Sequence, residues 1–212
     1  MKFWSILFLA IVLSMPLAAQ EQETLFMSDV DHGGFGGLVH KLTSIRGEAG
    51  LLMGGYGGWL INHRFMIGGG GYGLVTNVRA SAESEAAYSP FNEPLYVEFG
   101  YGGLMLEYVI APSRLVHVNV QALIGAGGVT HRNNMYDNLL DDDGPDIHHY
   151  GRKEAVFVTE PAVNVELNVT NWFRISAGGS YRFVTGVNEI RGLSNSDLSG
   201  PSGTLALKFG AF

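Results

Sequence analysis

The sequence predicts an all-β chain: an eight-stranded antiparallel up-and-down transmembrane β-barrel with short periplasmic turns and longer extracellular loops. Three observations carry that expectation. Apolar and polar residues alternate with period two through most of the chain, the mark of strands with two unlike faces. The connections between these strands alternate in length, short and then long. The polar face, finally, carries acids, bases and amides in near balance.

The first twenty residues stand apart from the strands. Lys2 gives a short positive start, Phe3 to Met15 an apolar run, and Pro16-Leu17-Ala18-Ala19 a small-residue exit, the layout of a cleaved secretory signal peptide. About a dozen apolar residues are too few for a membrane helix, which needs about 20. Cleavage is expected after Ala19 or Gln20, leaving 21–212 as a single barrel domain. Without Lys2 the mature chain carries 12 bases against 20 acids, a formal charge of −8. Such a chain is a poor nucleic-acid binder, since that binding depends on basic patches. There are no cysteines, so neither disulfides nor thiolate metal sites are available.

Strands are expected near 33–45, 50–61, 64–78, 94–110, 114–129, 154–169, 171–186 and 202–212. The alternation is clearest from Trp172 to Phe183. Phe173, Ile175, Ala177, Tyr181 and Phe183 share one face, and Arg174, Ser176, Ser180 and Arg182 the other. Val163, Val165, Leu167 and Val169 oppose Asn164, Glu166 and Asn168. Val116, Val118, Val120, Ala122 and Ile124 oppose His117, Asn119 and Gln121. Leu205, Leu207, Phe209 and Ala211 oppose Thr204, Ala206, Lys208 and Gly210. Tight turns fall at Ile61-Asn62-His63-Arg64, Ala111-Pro112-Ser113 and Thr170-Asn171, whereas 79–93, 130–153 and 187–201 are long and polar. Only the hairpin at Arg46-Gly47-Glu48 breaks the rhythm. Outer-membrane barrels sort their loops in this way, and a soluble sandwich has no reason to. Strands of ten residues or more also suit a tilted membrane crossing of about 9–11 residues.

In such a barrel the apolar face meets lipid and the polar face lines the bore. Glu107, Glu160, Glu166, Arg174, Arg182 and Lys208, with His117, Asn119, Gln121 and Asn164, form the expected lumen network. Three acids then meet three bases, which matters because an unpaired buried ion costs several kcal/mol. The chain holds 30 glycines, many beside aromatics, as in Gly34-Phe35-Gly36, Gly55-Tyr56-Gly57, Gly71-Tyr72-Gly73 and Gly100-Tyr101-Gly102. Rings over glycines of neighbouring strands suit a tightly curved sheet. Gly68-Gly69-Gly70-Gly71 lacks the Lys-Ser/Thr ending and the helix of a phosphate loop. Trp59, Tyr108, Trp172 and Phe173 flank the short turns as an interfacial girdle would.

The leader, the alternating strands, the loop rhythm and the terminal strand Gly203-Thr204-Leu205-Ala206-Leu207-Lys208-Phe209-Gly210-Ala211-Phe212 resemble small outer-membrane β-barrel proteins of the OmpX/OmpW/OmpA-barrel type. The stretch from Glu166 to Arg174 and Ser180-Tyr181-Arg182 is similar to barrels of unknown function in Bacteroidetes-like bacteria. The resemblance is architectural and covers the mature chain. It implies an outer-membrane location, surrounding lipid and lipopolysaccharide, contact with the barrel-assembly machinery during biogenesis, and a monomer. It also makes Phe212 the terminal aromatic that this machinery reads, although Leu205, Leu207 and Phe209 are out of phase with it.

Two further constellations could carry chemistry. Asp137, Asp141, Asp142, Asp143, Asp146, His148, His149 and Glu154 crowd one loop. Its carboxylates could attract a hard cation, but the spacing is not that of an EF-hand, and a like-charged loop is ordinarily just solvated. His117, Ser176, Ser180 and Glu166 share the lumen face and include the residue types of a hydrolytic triad, as a lipid A-modifying barrel would need. No cofactor is expected. The primary expectation is a structural or surface-interaction protein without catalysis, with a narrow conduit for small or hydrophobic solutes, or a lipid A enzyme, as alternatives.

Overall fold

The computed structural model describes residues 30–89, 93–133 and 148–212; the expected signal peptide, residues 1–20, lies outside this range. Eight strands form a closed antiparallel barrel in which each pairs with its neighbours in sequence and the last with the first. They are β1 (His32–Ile45), β2 (Glu48–Ile61), β3 (Phe65–Leu74), β4 (Tyr96–Ile110), β5 (Val116–Arg132), β6 (His149–Asn168), β7 (Phe173–Thr185) and β8 (Gly200–Ala211). Followed across successive partners, His32 leads through Ile61, Phe65, Tyr108, Val120, Val163, Gly179 and Gly203 back to Leu42. The ring therefore closes with a stagger of ten residues, and the strands are tilted by about 40°.

Burial follows the period-two pattern. In β7, Arg174, Ser176, Ser180, Arg182 and Val184 are buried, while Ala177, Tyr181 and Phe183 are exposed. Every strand contributes to an exposed apolar belt, among them Leu38, Met53, Ile67, Leu104, Val120, Val163, Phe183 and Leu205. A soluble monomer rarely exposes an apolar patch of more than a few hundred Å². Aromatics border the belt at both ends: Trp59, Phe65, Tyr108, Trp172 and Phe209 at the turn end, and Phe157, Tyr181 and Phe183 at the loop end.

The inward aromatics explain part of the glycine content. Tyr56 faces Gly37 and Gly70 on its two neighbouring strands, and Tyr101 faces Gly127. The strands also approach closely at Gly103, where a Cβ would come within 2.4 Å of the Ile124 carbonyl oxygen and 2.5 Å of Gly125 Cα. Gly103→Val should therefore force two strands apart and cost about 1–3 kcal/mol, the usual penalty of overpacking. Denaturant unfolding of the reconstituted variant measures this.

The loop end differs from the expected polar loops. β3 stops at Leu74 rather than 78, and β6 starts at His149 rather than 154. Short helices α1 (Ala82–Tyr88) and α2 (Asn195–Leu198) form within 79–93 and 187–201. Ser81 caps α1 by accepting from the Ser84 amide, and a Ser194/Asp197 capping box opens α2. Val78, Leu95, Val187, Ile190, Leu193 and Leu198 bury an apolar layer over the mouth of the barrel. Polar clips hold this layer in place. Glu154 accepts from the amides of Asn188 and Glu189, Ser84 donates to the Arg191 carbonyl, and Arg46 donates to that of Arg79. Arg79 donates twice to Glu85, at 2.9 and 3.2 Å, and holds that carboxyl below the usual carboxylate range. These segments form a folded cap.

Candidate functional site

The bore is the densest assembly of polar chemistry among the described residues. Its side chains come from alternate positions of all eight strands, so the pleat alone directs them inward. At the turn end Lys208 is the centre. Its ammonium donates to both oxygens of Glu107, at 2.7 and 2.9 Å, and to Glu166. Glu166 also accepts from Arg174 at 3.0 Å and Asn119 at 2.8 Å, and lies 3.2 Å from His117 Nε2. Glu107 accepts from the Tyr56 hydroxyl at 2.9 Å and from Gln121 at 2.6 Å. Asn164 donates to Asn119, and Thr204 donates to Asn164.

A second cluster lies nearer the cap. Glu160 accepts from Lys41 at 2.9 Å, the Tyr101 hydroxyl at 2.5 Å and Ser180 at 2.5 Å. The Lys41 ammonium sits 3.4 Å from the centre of the Tyr72 ring, a cation–π contact strengthened by burial. Arg182 is buried but is not gathered onto a carboxylate. It donates to the Leu198 carbonyl at 2.7 Å and to Thr43 at 3.3 Å, and faces the rings of Phe99 and Tyr101. This residue ties α2 to the barrel wall.

The structure thus gathers nine of the ten named lumen residues, Glu107, His117, Asn119, Gln121, Glu160, Asn164, Glu166, Arg174 and Lys208, into hydrogen-bonded clusters, and sets Arg182 apart. Lys41 and the hydroxyls of Tyr56 and Tyr101 were missed by sequence reasoning. Lys41 lies in phase with buried Val39, a signal that period two does carry. Between these groups a cavity of about 20 Å³ remains, lined in part by Lys41, Gln121, Glu160, Asn164 and Thr204. That is room for about one water molecule.

Other candidates separate. His117 Nδ1 lies 3.1 Å from the Arg114 carbonyl and its Nε2 faces Glu166, while Ser180 donates to Glu160. No serine–histidine pair forms, so no nucleophile faces a base in this set. Asp137, Asp141, Asp142, Asp143 and Asp146 lie outside the described residues. His149 opens β6 and pairs with Glu98 at 2.7 Å, and His148 lies beside Tyr150. Among the described residues no three His, Cys, Asp or Glu side chains gather as a metal site would require. Phe212 turns inward, 5.4 Å from the Phe35 ring, with the Arg174 guanidinium 3.9 Å from its centre.

No protein-family model and no curated protein matches the sequence. Among solved structures, the chain is similar to Neisserial surface protein A, at 12% identity and a TM-score of 0.51 over 86% of this chain and 99% of that one. The N-terminal β-barrel domain of Pseudomonas aeruginosa OprF aligns at 11% identity and a TM-score of 0.46, over 84% and 96%. Ail, the attachment invasion locus protein of Yersinia pestis, aligns at 12% identity and 0.39, over 84% and 95%. The chain has the closed eight-stranded barrel fold of small bacterial outer-membrane proteins.

Proposed function

We propose that this chain is an integral outer-membrane protein whose bore is a solid ionic strut and whose folded external cap is its working surface. The observation that carries this reading is the filled interior. Lys208 and Glu166 are fully buried within it, and the gap beside the Lys41–Glu160 pair measures about 20 Å³. A conduit would need a continuous path, and moving these ion pairs aside would uncover buried charge. Outer-membrane lipid and lipopolysaccharide are the natural neighbours of the apolar belt. The assembly machinery is the partner during biogenesis, and any reading of the Phe212 ring precedes closure, since closure turns that ring inward.

The test is reconstitution of the processed protein. It should need detergent, shift its gel mobility on heating, and give no stable conductance step in planar bilayers. A reproducible step would favour the conduit. A protein that stays dissolved and single in plain buffer would defeat the membrane reading.

A further inference from the structure

His131 is buried at the mouth of the barrel, beneath the cap. Its register fixes the level. Ala126 pairs with Phe157 of the loop-end girdle, and each further residue of a strand tilted by about 40° rises about 2.5 Å. His131, five residues on, lies roughly 12 Å above that girdle and clear of the apolar belt. It is in phase with buried Val129, and its cross-strand neighbours are Val97 and Tyr150.

One ring joins His131 to both parts of the cap. The imidazole stacks on Tyr88 of α1, with centroids 5.9 Å apart and planes 29° apart. The Tyr88 hydroxyl in turn accepts from the Arg191 amide at 3.2 Å and donates to the Glu189 carbonyl at 3.4 Å. Displacing this ring therefore releases α1 and the 187–193 segment together.

The second observation is chemical. Both ring nitrogens of His131 are buried without a hydrogen-bond partner, and buried polar groups are nearly always paired. Among the described residues the charge that bears on the ring is that of Arg46, in the β1–β2 turn. Arg46 holds the cap through the carbonyls of Arg79 and Asp197, and its own Nε is also buried without a partner. The other elements offer no anion. β4 presents Val97, β6 presents Tyr150, and α1 presents the Tyr88 ring. The nearby acids are engaged elsewhere: Glu85 by Arg79, Glu154 by the amides of Asn188 and Glu189, Glu189 by Arg152, and Glu98 by His149. A proton on His131 would thus place a second cation beside Arg46, out of water and with no acceptor. The face of Tyr88 attracts a cation but cannot replace a carboxylate. Burial first, and Arg46 second, push the ring down to about 4.

We infer that His131 is an acid-operated latch: its protonation expels the ring from the mouth, carries Tyr88 away and opens the cap. The latch gives the cap of the proposed function a trigger, and rests on that cap being shut at neutral pH. The sign follows from the two states. The ring is held at about 4 when the cap is shut and returns to about 6.5 once it is wet. The shut state is fully stable above pH 6.5 and loses stability as the pH falls towards 4. The open-to-shut ratio should rise about tenfold per unit across that window, and about 30-fold between pH 7.5 and 5.0. A proton on His149 strengthens its pair with Glu98 and so works against opening.

Hydrogen exchange of the processed chain in lipid vesicles, corrected for the intrinsic effect of pH, reads this directly. Protection of residues 80–89 and 190–199 should fall about 30-fold from pH 7.5 to 5.0, while the barrel strands stay protected. His131→Phe keeps a ring against Tyr88 but cannot take a proton, and should leave cap protection flat over the same range. His131→Gln, neutral and polar, should flatten it too. A fall that persists in both variants assigns the acid response to other groups and overturns the latch, as does a flat profile in the unaltered protein. If neither variant folds, carbon-13 titration of the histidines decides, and a His131 ring that titrates near its ordinary value with the cap still protected overturns it. A chain that needs no detergent would sink the membrane reading and leave the latch open to the same comparison in buffer.

Discussion

Glu166→Ala should lower the unfolding free energy of the reconstituted barrel by about 3–5 kcal/mol, the cost of removing one partner from a buried ionic group. Four donors converge on this carboxylate: Lys208, Arg174, Asn119 and the His117 ring. Deleting it leaves Arg174 without its ion pair and Lys208 with Glu107 alone. Lys208 cannot reach water, and Arg174 is buried but for an edge at the turn end. The double variant Glu166→Ala, Arg174→Met removes charge of both signs and should recover a large part of the loss, because the penalty lies in the uncompensated ion. Urea unfolding in lipid vesicles, followed by tryptophan fluorescence, measures both. A loss below about 1 kcal/mol for the single variant, the value typical of a solvated surface pair, would mean that water enters the bore.

The second large effect is expected on the opposite face. Leu104→Lys should cost about 2–4 kcal/mol, the penalty for a cation at the lipid-facing midplane of a barrel. Leu104 is exposed and points away from the bore, so in an aqueous protein the same change would stay within about 0.5 kcal/mol of neutral. The contrast tests where the hydrocarbon lies. A neutral result would place the apolar belt in water or against another protein surface.

The sequence revealed the barrel where one face of a strand is apolar and the other lines the ionic bore. From Trp172 to Phe183 the two environments differ most, and there every face assignment can be read directly. Beyond the apolar belt both faces are exposed and the alternation fades, which is why the His149 start of β6, followed by Arg152 and Lys153, reads as loop. The cap was hidden for a different reason. Its apolar residues, such as Val78, Ile190 and Leu198, lie apart in sequence and meet only once the barrel brings their segments together. The Ser194 and Asp197 capping signal was nevertheless present. Lys41 was obscured by His40, because two adjacent polar side chains fit no simple alternation. The separation of Arg182 from the carboxylates was not legible, since the Leu198 carbonyl that receives it belongs to a connection whose path the sequence does not specify.

Lys208 has a consequence for how the ring shuts. It sits on the final strand, yet its two acidic partners belong to β4 and β6, which it does not touch through the backbone. Until β8 arrives, Glu166 holds Arg174 of β7 but Glu107 has no cation. Docking of the last strand supplies that counter-charge in the same movement that joins the seam, so a nearly shut barrel still carries an uncompensated carboxylate.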